Sequence, residues 1–304
     1  LNSMKLTIVG CHSASPRYDA NPTAQILEVK GHLFLIDCGE GTQVQLRKFK
    51  IKFARIKHIF ISHLHGDHFF GLVGLISTFK LLGRDASLHI YGPKGIKQAI
   101  LLQLKLGKTY TNFELYFHEL ESNQPELLFE DAVLSITTIP LKHRVYTNGF
   151  LFQQKPGERI LNIQKAKELD IDPSYYQKTK QGFDVPDSKG DMVSNAAITL
   201  DPSPPKSYAY CSDTAYCEEI IPQILNTTLL YHEATFLQQH AALALKTMHS
   251  TARQAALIAK KAAVGSLLLG HYSGRYNDYI EFKNQAQEVF PATKLAQDGK
   301  VFEI

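Results

Sequence analysis

His63-Leu64-His65-Gly66-Asp67-His68 places three imidazoles and a carboxylate within six residues of a chain that has thirteen histidines in all. Imidazole nitrogen and carboxylate oxygen are zinc ligands, and a central glycine lets the backbone turn sharply enough for alternate side chains to converge. The residues just before it, Ile56-Lys57-His58-Ile59-Phe60-Ile61-Ser62, are mostly β-branched or aromatic and predict a strand that ends at the motif. Ligands at the carboxyl edge of a buried strand are where an α/β protein places its chemistry. A solvated histidine-rich turn is the alternative, and the demanding Gly and Asp spacing argues against it.

On either side of the motif the apolar pattern switches between a period of two and a helical period. Residues 4–9, 24–29, 33–38, 57–62 and 88–91 read as strands, and 41–49, 70–82 and 94–106 as helices. Further strands are expected near 113–117, 127–129, 133–138, 149–153, 208–211, 229–232 and 267–269, with helices around 218–225, 252–262 and 279–289. Ser250 or Thr251 is a natural N-cap for the helix beginning near Ala252, which sets His249 just before a helix start. Pro156-Gly157 and Pro202-Ser203-Pro204-Pro205 mark turns.

The 304 residues, 44% of them apolar, are enough to bury one large two-sheet core or two small ones. A net charge of +4 and a pI near 8.7 are only mildly basic. The local pattern is stronger: Arg47, Lys48, Lys50, Lys52, Arg55 and Lys57 form an acid-free run just before the motif, expected to lie beside it and receive phosphates, with a solvated helix face as the alternative. Cys11, Cys38, Cys211 and Cys217 fall mainly at strand ends with no C-x-x-C pair, so neither a thiol zinc site nor a disulfide framework is expected, only reduced, partly buried thiols. No stretch approaches the roughly 18 apolar residues of a membrane span. The first residues lack a charged-then-apolar signal pattern, and Leu1-Asn2-Ser3 reads as a leader or cloning remnant before Met4. A cytoplasmic enzyme without a membrane association is expected. His12, His32, His58, His89, His118 and His240 show no partners in the sequence, and Arg17 reads as an ordinary solvated side chain.

H-x-H-x-D-H after an apolar strand resembles the signature of the metallo-β-lactamase superfamily. That resemblance implies an α/β (α+β, four-layer) fold, the αβ/βα sandwich, and one or two metal ions used in hydrolysis. Six residues cannot surround two ions, so further ligands are expected downstream: His143 after the apolar run 134–141, Asp213 after 207–212 and His271 after 267–270. Leu35-Ile36-Asp37-Cys38-Gly39-Glu40-Gly41-Thr42-Gln43, Tyr231-His232-Glu233-Ala234-Thr235 and His249-Ser250-Thr251 are similar to the segments that set the ribonuclease Z family, transfer-RNA 3′-processing endonucleases, apart from its relatives. Ser273-Gly274-Arg275-Tyr276 is similar to that family's final phosphate-contacting turn, and the likeness runs from Met4 to about Ile304.

The resemblance implies roles. His63, His65 and His143 would hold one zinc, Asp67, His68 and His271 the other, and Asp213 would bridge them, giving two Zn2+ per subunit, with Mn2+ or another divalent ion as alternatives. A shared water brought toward a pKa of about 7 would attack phosphorus as hydroxide, with Asp67 able to accept its proton. His249 would protonate the departing 3′ oxygen, Glu233 would orient and charge the His249 imidazole, and Arg275 would offset charge at phosphorus. The implied products are a tRNA 3′-hydroxyl and a trailer 5′-phosphate, the implied partner is precursor tRNA, and the implied assembly is a homodimer. His232 could brace the site or be a plain buried strand histidine, and Asp37 could brace the ligand loop through backbone N–H groups.

Two segments depart from the family pattern. The opening loop 9–22 keeps only part of a Gly-rich turn and basic run. The segment 153–192 sits where the family carries an inserted, tRNA-clamping arm, yet it has no Gly-Pro pair and its seven Lys/Arg are matched by seven Asp/Glu. The expected organisation is one catalytic domain over 1–304 with this arm inserted. The alternative function is a binuclear metal phosphodiesterase of the same fold acting on a smaller or different substrate. A relative that only binds RNA has no need of seven metal-ligating side chains.

Overall fold

The computed structural model describes residues 4–15 and 17–304; Leu1-Asn2-Ser3 and Pro16 of the opening loop lie outside the described residues. The chain forms two compact units, one of Asp131–Leu134 and Gln154–Pro205 and a larger one of the remaining described residues.

The larger unit is built on two seven-stranded sheets. In the first, the order is Val301–Glu303, Met4–Gly10, Ala24–Val29, His32–Ile36, Ile56–Phe60, Leu88–Pro93, Leu115–Leu120. Pairing is antiparallel as far as His32–Ile36 and parallel beyond it. In the second, the order is Thr293–Leu295, Ser266–Gly270, Leu229–Glu233, Ser207–Cys211, Asn148–Gln154, Leu134–Pro140, Leu127–Glu130. Its first four strands are parallel, and Ser207–Cys211 runs antiparallel to Asn148–Gln154.

Alternation along the strands sorts side chains onto two buried faces. Leu33, Leu35, Ile59, Ile61, Leu88 and Ile90 of the first sheet share a core with residues of the helices Thr42–Lys48, Leu72–Leu81 and Ile96–Leu106. The intervening Phe34 and Phe60 point the other way and meet Phe152 and Phe150 of the second sheet, with ring centroids 5.6 and 5.4 Å apart. The second sheet is covered in turn by Ala252–Lys261, whose small buried face (Ala255, Ala256, Ala259) allows close approach. Helix, sheet, sheet, helix is the expected four-layer sandwich.

Three local expectations need correction. The helix expected from Phe70 is preceded by a turn of helix, Gly66–Phe69, so Asp67 and His68 sit on helical backbone. Gly66 is not at positive φ; a Cβ there would lie 2.4 Å from the Phe70 ring, so the glycine serves for space rather than for a sharp turn. The segment 218–225 is a 3-10 turn, Glu218–Ile220, followed by a short helix, Ile221–Ile224, with a proline in its first turn.

The smaller unit contains the helices Ile163–Glu168, Tyr176–Lys180 and Asn195–Ile198 and two short strand pairs. Ala166, Ile171, Val185 and Ile198 form its own core. It extends past Met192 to Pro205. No helix among the described residues is long and apolar enough to cross a membrane.

Candidate metal centre

The segments that follow the carboxyl ends of four strands bring all seven expected ligands together. His63–His68 follow Ile56–Phe60, Asp213 follows Ser207–Cys211, and His271 follows Ser266–Gly270; His143 follows the antiparallel Leu134–Pro140. One group is His63, His65, His143 and Asp213, and a second is Asp67, His68 and His271, the ligand atoms of each lying within 4.8 Å of one another. Asp213 spans the two: Oδ2 is 3.5 Å from His63 Nε2 and 3.7 Å from His143 Nε2, while Oδ1 is 3.3 Å from His68 Nε2 and 3.1 Å from His271 Nε2. Asp67 Oδ2 lies 3.4 Å from both His68 Nε2 and His271 Nε2. The Nε2 atoms of His68 and His143 are buried with no hydrogen-bond partner, a costly arrangement that a cation would satisfy. The donor set fits divalent ions of the zinc type.

In His63, His68, His143 and His271 the other ring nitrogen is tied down, which fixes the tautomer and aims Nε2 inward, whereas His65 turns Nδ1 toward His63 Nε2, 2.9 Å away. His68 Nδ1 donates to Asp37 Oδ2 at 2.7 Å, His143 Nδ1 to the Met248 carbonyl at 2.9 Å, and His271 Nδ1 to Thr235 Oγ1 at 2.9 Å. His63 Nδ1 lies 3.0 Å from Ser62 Oγ, which itself donates to Asp37. Asp37 also accepts from Ser62 N and Tyr210 OH, so it braces the ligand loop as expected. Asp37, Asp213, Met248 and His271 all have φ between 55° and 61°, left-handed backbone that costs about 1–2 kcal/mol per residue and is held by these contacts. Burial would raise the Asp213 carboxyl, but His271, His68 and His63 outweigh it and hold it well below the usual range. Burial likewise opposes ionisation of Asp67, and His68 and His271 overcome it, so both carboxylates stay charged.

Glu233 is buried yet fully satisfied: Oε1 accepts from His249 Nδ1 (2.7 Å) and Thr214 N, and Oε2 from Thr235 N and Thr235 Oγ1. Burial pulls the His249 imidazole down, and the Glu233 charge and hydrogen bond push it up further, to about 9. His249 faces a cavity of about 420 Å³ lined also by Ser13, Ala14, His65, Asp67, Arg144, Asp213, Phe236 and His271. His232 donates from Nδ1 to the Glu233 carbonyl and is outside the ligand set.

Arg144 also lines this cavity, and it carries no sequence signal beyond adjoining His143. Arg275 is exposed at the rim, its guanidinium 6.0 Å from the Phe236 ring centroid. None of the run from Arg47 to Lys57 lines the cavity; Arg47, Lys50 and Lys52 face a different hollow with Phe79 and Leu82. Arg17 is not freely solvated: its guanidinium donates to the Tyr276 carbonyl and Tyr279 hydroxyl. His89 and His118 contact each other and His240 contacts the Tyr276 hydroxyl, while His12 lies 3.7 Å from Asp298. All four cysteines are buried and free. Thr235, whose hydroxyl serves Glu233 and His271, carried no sequence signal beyond lying inside a quoted motif.

Comparisons with known proteins agree with this architecture. A curated relative named Ribonuclease Z from Parabacteroides distasonis is 46% identical over 97% of both chains. Another of that name from Bacteroides thetaiotaomicron is 43% identical over 98% of this chain and 95% of its own. The crystal structure of human tRNase Z, short form, superposes with a TM-score of 0.71 at 26% identity, covering 98% of each chain. A family model described as Anti-Pycsar protein Apyc1 matches residues 4–161, a span that ends before Asp213, Glu233, His249 and His271.

Proposed function

The chain belongs to the ribonuclease Z family, its residues 4–161 also falling within the Apyc1 family, and we propose that this metal-dependent endoribonuclease removes the 3′ trailer from precursor tRNA. The observation that supports this most is the buried Glu233–His249 pair beside the ligand cluster, in the part of the chain that the ribonuclease Z relatives cover and the Apyc1 match does not reach. His63, His65 and His143 would hold one Zn2+ and Asp67, His68 and His271 the other, with Asp213 between them and Mn2+ as an alternative ion. Two such ions would supply Lewis acidity and bring the pKa of a water held at the site toward about 7. In the step itself water oxygen bonds to phosphorus, the phosphorus–3′-oxygen bond breaks, and the water proton passes to Asp67.

His249 delivers the proton that the departing 3′ oxygen needs. Its Nδ1 is committed to Glu233, which leaves Nε2 for transfer, and the raised imidazole pKa keeps it protonated at neutral pH. The products are a tRNA 3′-hydroxyl and a trailer 5′-phosphate. Arg144 on the cavity wall and Arg275 at its rim offset phosphate charge. On this reading the chain is one catalytic domain whose inserted arm, around 153–192, contacts RNA; it works as a homodimer, in the cytoplasm where precursor tRNA is made.

The test is single-turnover cleavage of end-labelled precursor tRNA by zinc-loaded protein, with metal content measured on the same samples. Cleavage at the 3′ end is expected, abolished in His65→Ala and reduced at least about 100-fold in His249→Ala, whose metal content stays normal. Fully loaded protein that leaves the precursor intact while hydrolysing bis(p-nitrophenyl) phosphate would move the substrate to a smaller phosphodiester.

A further inference from the structure

The opening loop carries a cluster that the hydrolytic site does not use. Cys11 and His12 follow the strand Met4–Gly10, and Asp298 lies between Thr293–Leu295 and Val301–Glu303. Cys11 Sγ is 3.4 Å from Asp298 Oδ1 and 4.0 Å from His12 Nδ1, and His12 Nδ1 is 3.7 Å from Asp298 Oδ1. An ion with bonds of about 2.3 Å to sulfur and about 2.0–2.1 Å to nitrogen and oxygen puts tetrahedral ligands about 3.3–3.6 Å apart, close to this triangle. By contrast, His12 Nδ1 has no oxygen partner within the ordinary N–H···O range of about 3.2 Å, although the residue is only 9% exposed.

We propose that Cys11, His12 and Asp298 form a third, mononuclear site for a zinc-type cation, separate from the dinuclear centre. The donors are a thiol, an imidazole and a carboxylate, a set that selects zinc over magnesium or calcium. Binding releases the thiol proton to solvent and leaves thiolate and carboxylate charges that neutralise a divalent ion. The supporting contacts are in place. Asp298 Oδ2 accepts from Asn21 N (3.0 Å) and Asn21 Nδ2 (2.8 Å), which leaves Oδ1 for the cluster. The His12 ring packs against the stacked pair Tyr272 and Tyr279, at centroid distances of 5.8 and 5.5 Å. Entry is through a cavity of about 620 Å³ that His12 and Asp298 line, and three protein ligands leave a fourth position for water.

Such an ion would fix the loop that walls the hydrolytic cavity. The Cys11 carbonyl accepts from His271 N at 2.7 Å, and Ser13, Ala14 and Ser15 line the cavity directly. Spacing in the sequence could not reveal the site, since Cys11 and Asp298 are 287 positions apart.

Cobalt reads this site selectively, because a thiolate ligand gives Co2+ a near-ultraviolet charge-transfer band and the dinuclear ligand set has no sulfur. Full-length protein stripped with chelator and reloaded with Co2+ should show the band and bind one more ion per chain than Cys11→Ser, which should lack it. Cys217→Ser should retain it. Should Cys11→Ser fail to fold, Asp298→Asn should bind the band-forming ion at least about tenfold more weakly. A folded, cobalt-saturated wild type without the band, a band that survives Cys11→Ser, or unchanged affinity in Asp298→Asn would overturn the proposal.

Discussion

Thr235 shows how much of the site rests on a group with no chemistry of its own. Its hydroxyl accepts from His271 Nδ1 and donates to Glu233 Oε2, coupling a proposed ligand to the proposed acid's partner. Thr235→Val keeps the shape and removes both bonds, so affinity for the ion at His271 should fall about 10–100-fold, read by chelator competition, with Thr235→Ser restoring most of it. Glycines contribute through space. A Cβ on Gly39 would lie 2.4 Å from the Asp67 carbonyl oxygen and 2.6 Å from Pro22, neither of which can swing away. Gly39→Ala should cost about 3 kcal/mol in urea denaturation and displace Asp67, with loss of bound metal. Gly66→Ala meets only the exposed Phe70 ring, which can rotate, so its cost should be smaller, about 1 kcal/mol.

The elements show which parts of the fold were legible. Met4–Gly10 was readable through its alternation of apolar residues with Lys5 and Thr7, and Ser207–Cys211 through its largely apolar, aromatic run. Thr293–Leu295 and Val301–Glu303 were not, since three residues carry no period, and the half-exposed helix Ala241–Thr247 lacks a clear apolar stripe. The proposed ligands, which the structure clusters, could be listed from their order along the chain; Ser62, Thr235 and Tyr210, which contact them or Asp37, are residue types found anywhere. Between Ala24–Val29 and His32–Ile36 the turn is Lys30-Gly31, with φ of 42° and 95°. Two consecutive positive φ values suit Asn-Gly, and Lys30→Asn should stabilise the protein by about 0.5–1 kcal/mol in thermal denaturation. A row of histidines crosses the adjoining strands: His58 stacks on His89, 5.0 Å away, and His89 on His118, 5.4 Å away. Burial, then the neighbouring His89, His32 and His118, push His58 down to about 4. The unfolded chain therefore binds more protons below the ordinary histidine pKa of about 6.5. Stability should fall as pH drops from about 6.5 toward 4, and His58→Phe should flatten that slope in urea titrations at several pH values.

For the molecule as a whole, the division into two units keeps every proposed catalytic group in one of them. Every proposed ligand, with Glu233 and His249, lies in the larger unit, whereas Gln154–Pro205 has its own small core and no residue of the metal groups. Its equal numbers of cations and acids between 153 and 192 give it no strong pull on phosphates, so any contribution to RNA binding must come from shape and specific contacts. The larger unit offers a clean point of excision. Gln153 and Ser207 are cross-strand partners in an antiparallel pair, so a two-residue Asn-Gly turn can replace residues 154–206 and close a hairpin in register. The shortened chain should bind metal and hydrolyse bis(p-nitrophenyl) phosphate within about threefold of the full chain, because nothing in its centre has been removed. Its KM for precursor tRNA should rise at least about tenfold, the equivalent of about 1.4 kcal/mol of lost binding, with the single-turnover rate at saturation largely kept. A KM that stays at the full-length value would show that recognition resides in the larger unit alone, and the rim around Arg144 and Arg275 would then have to supply it.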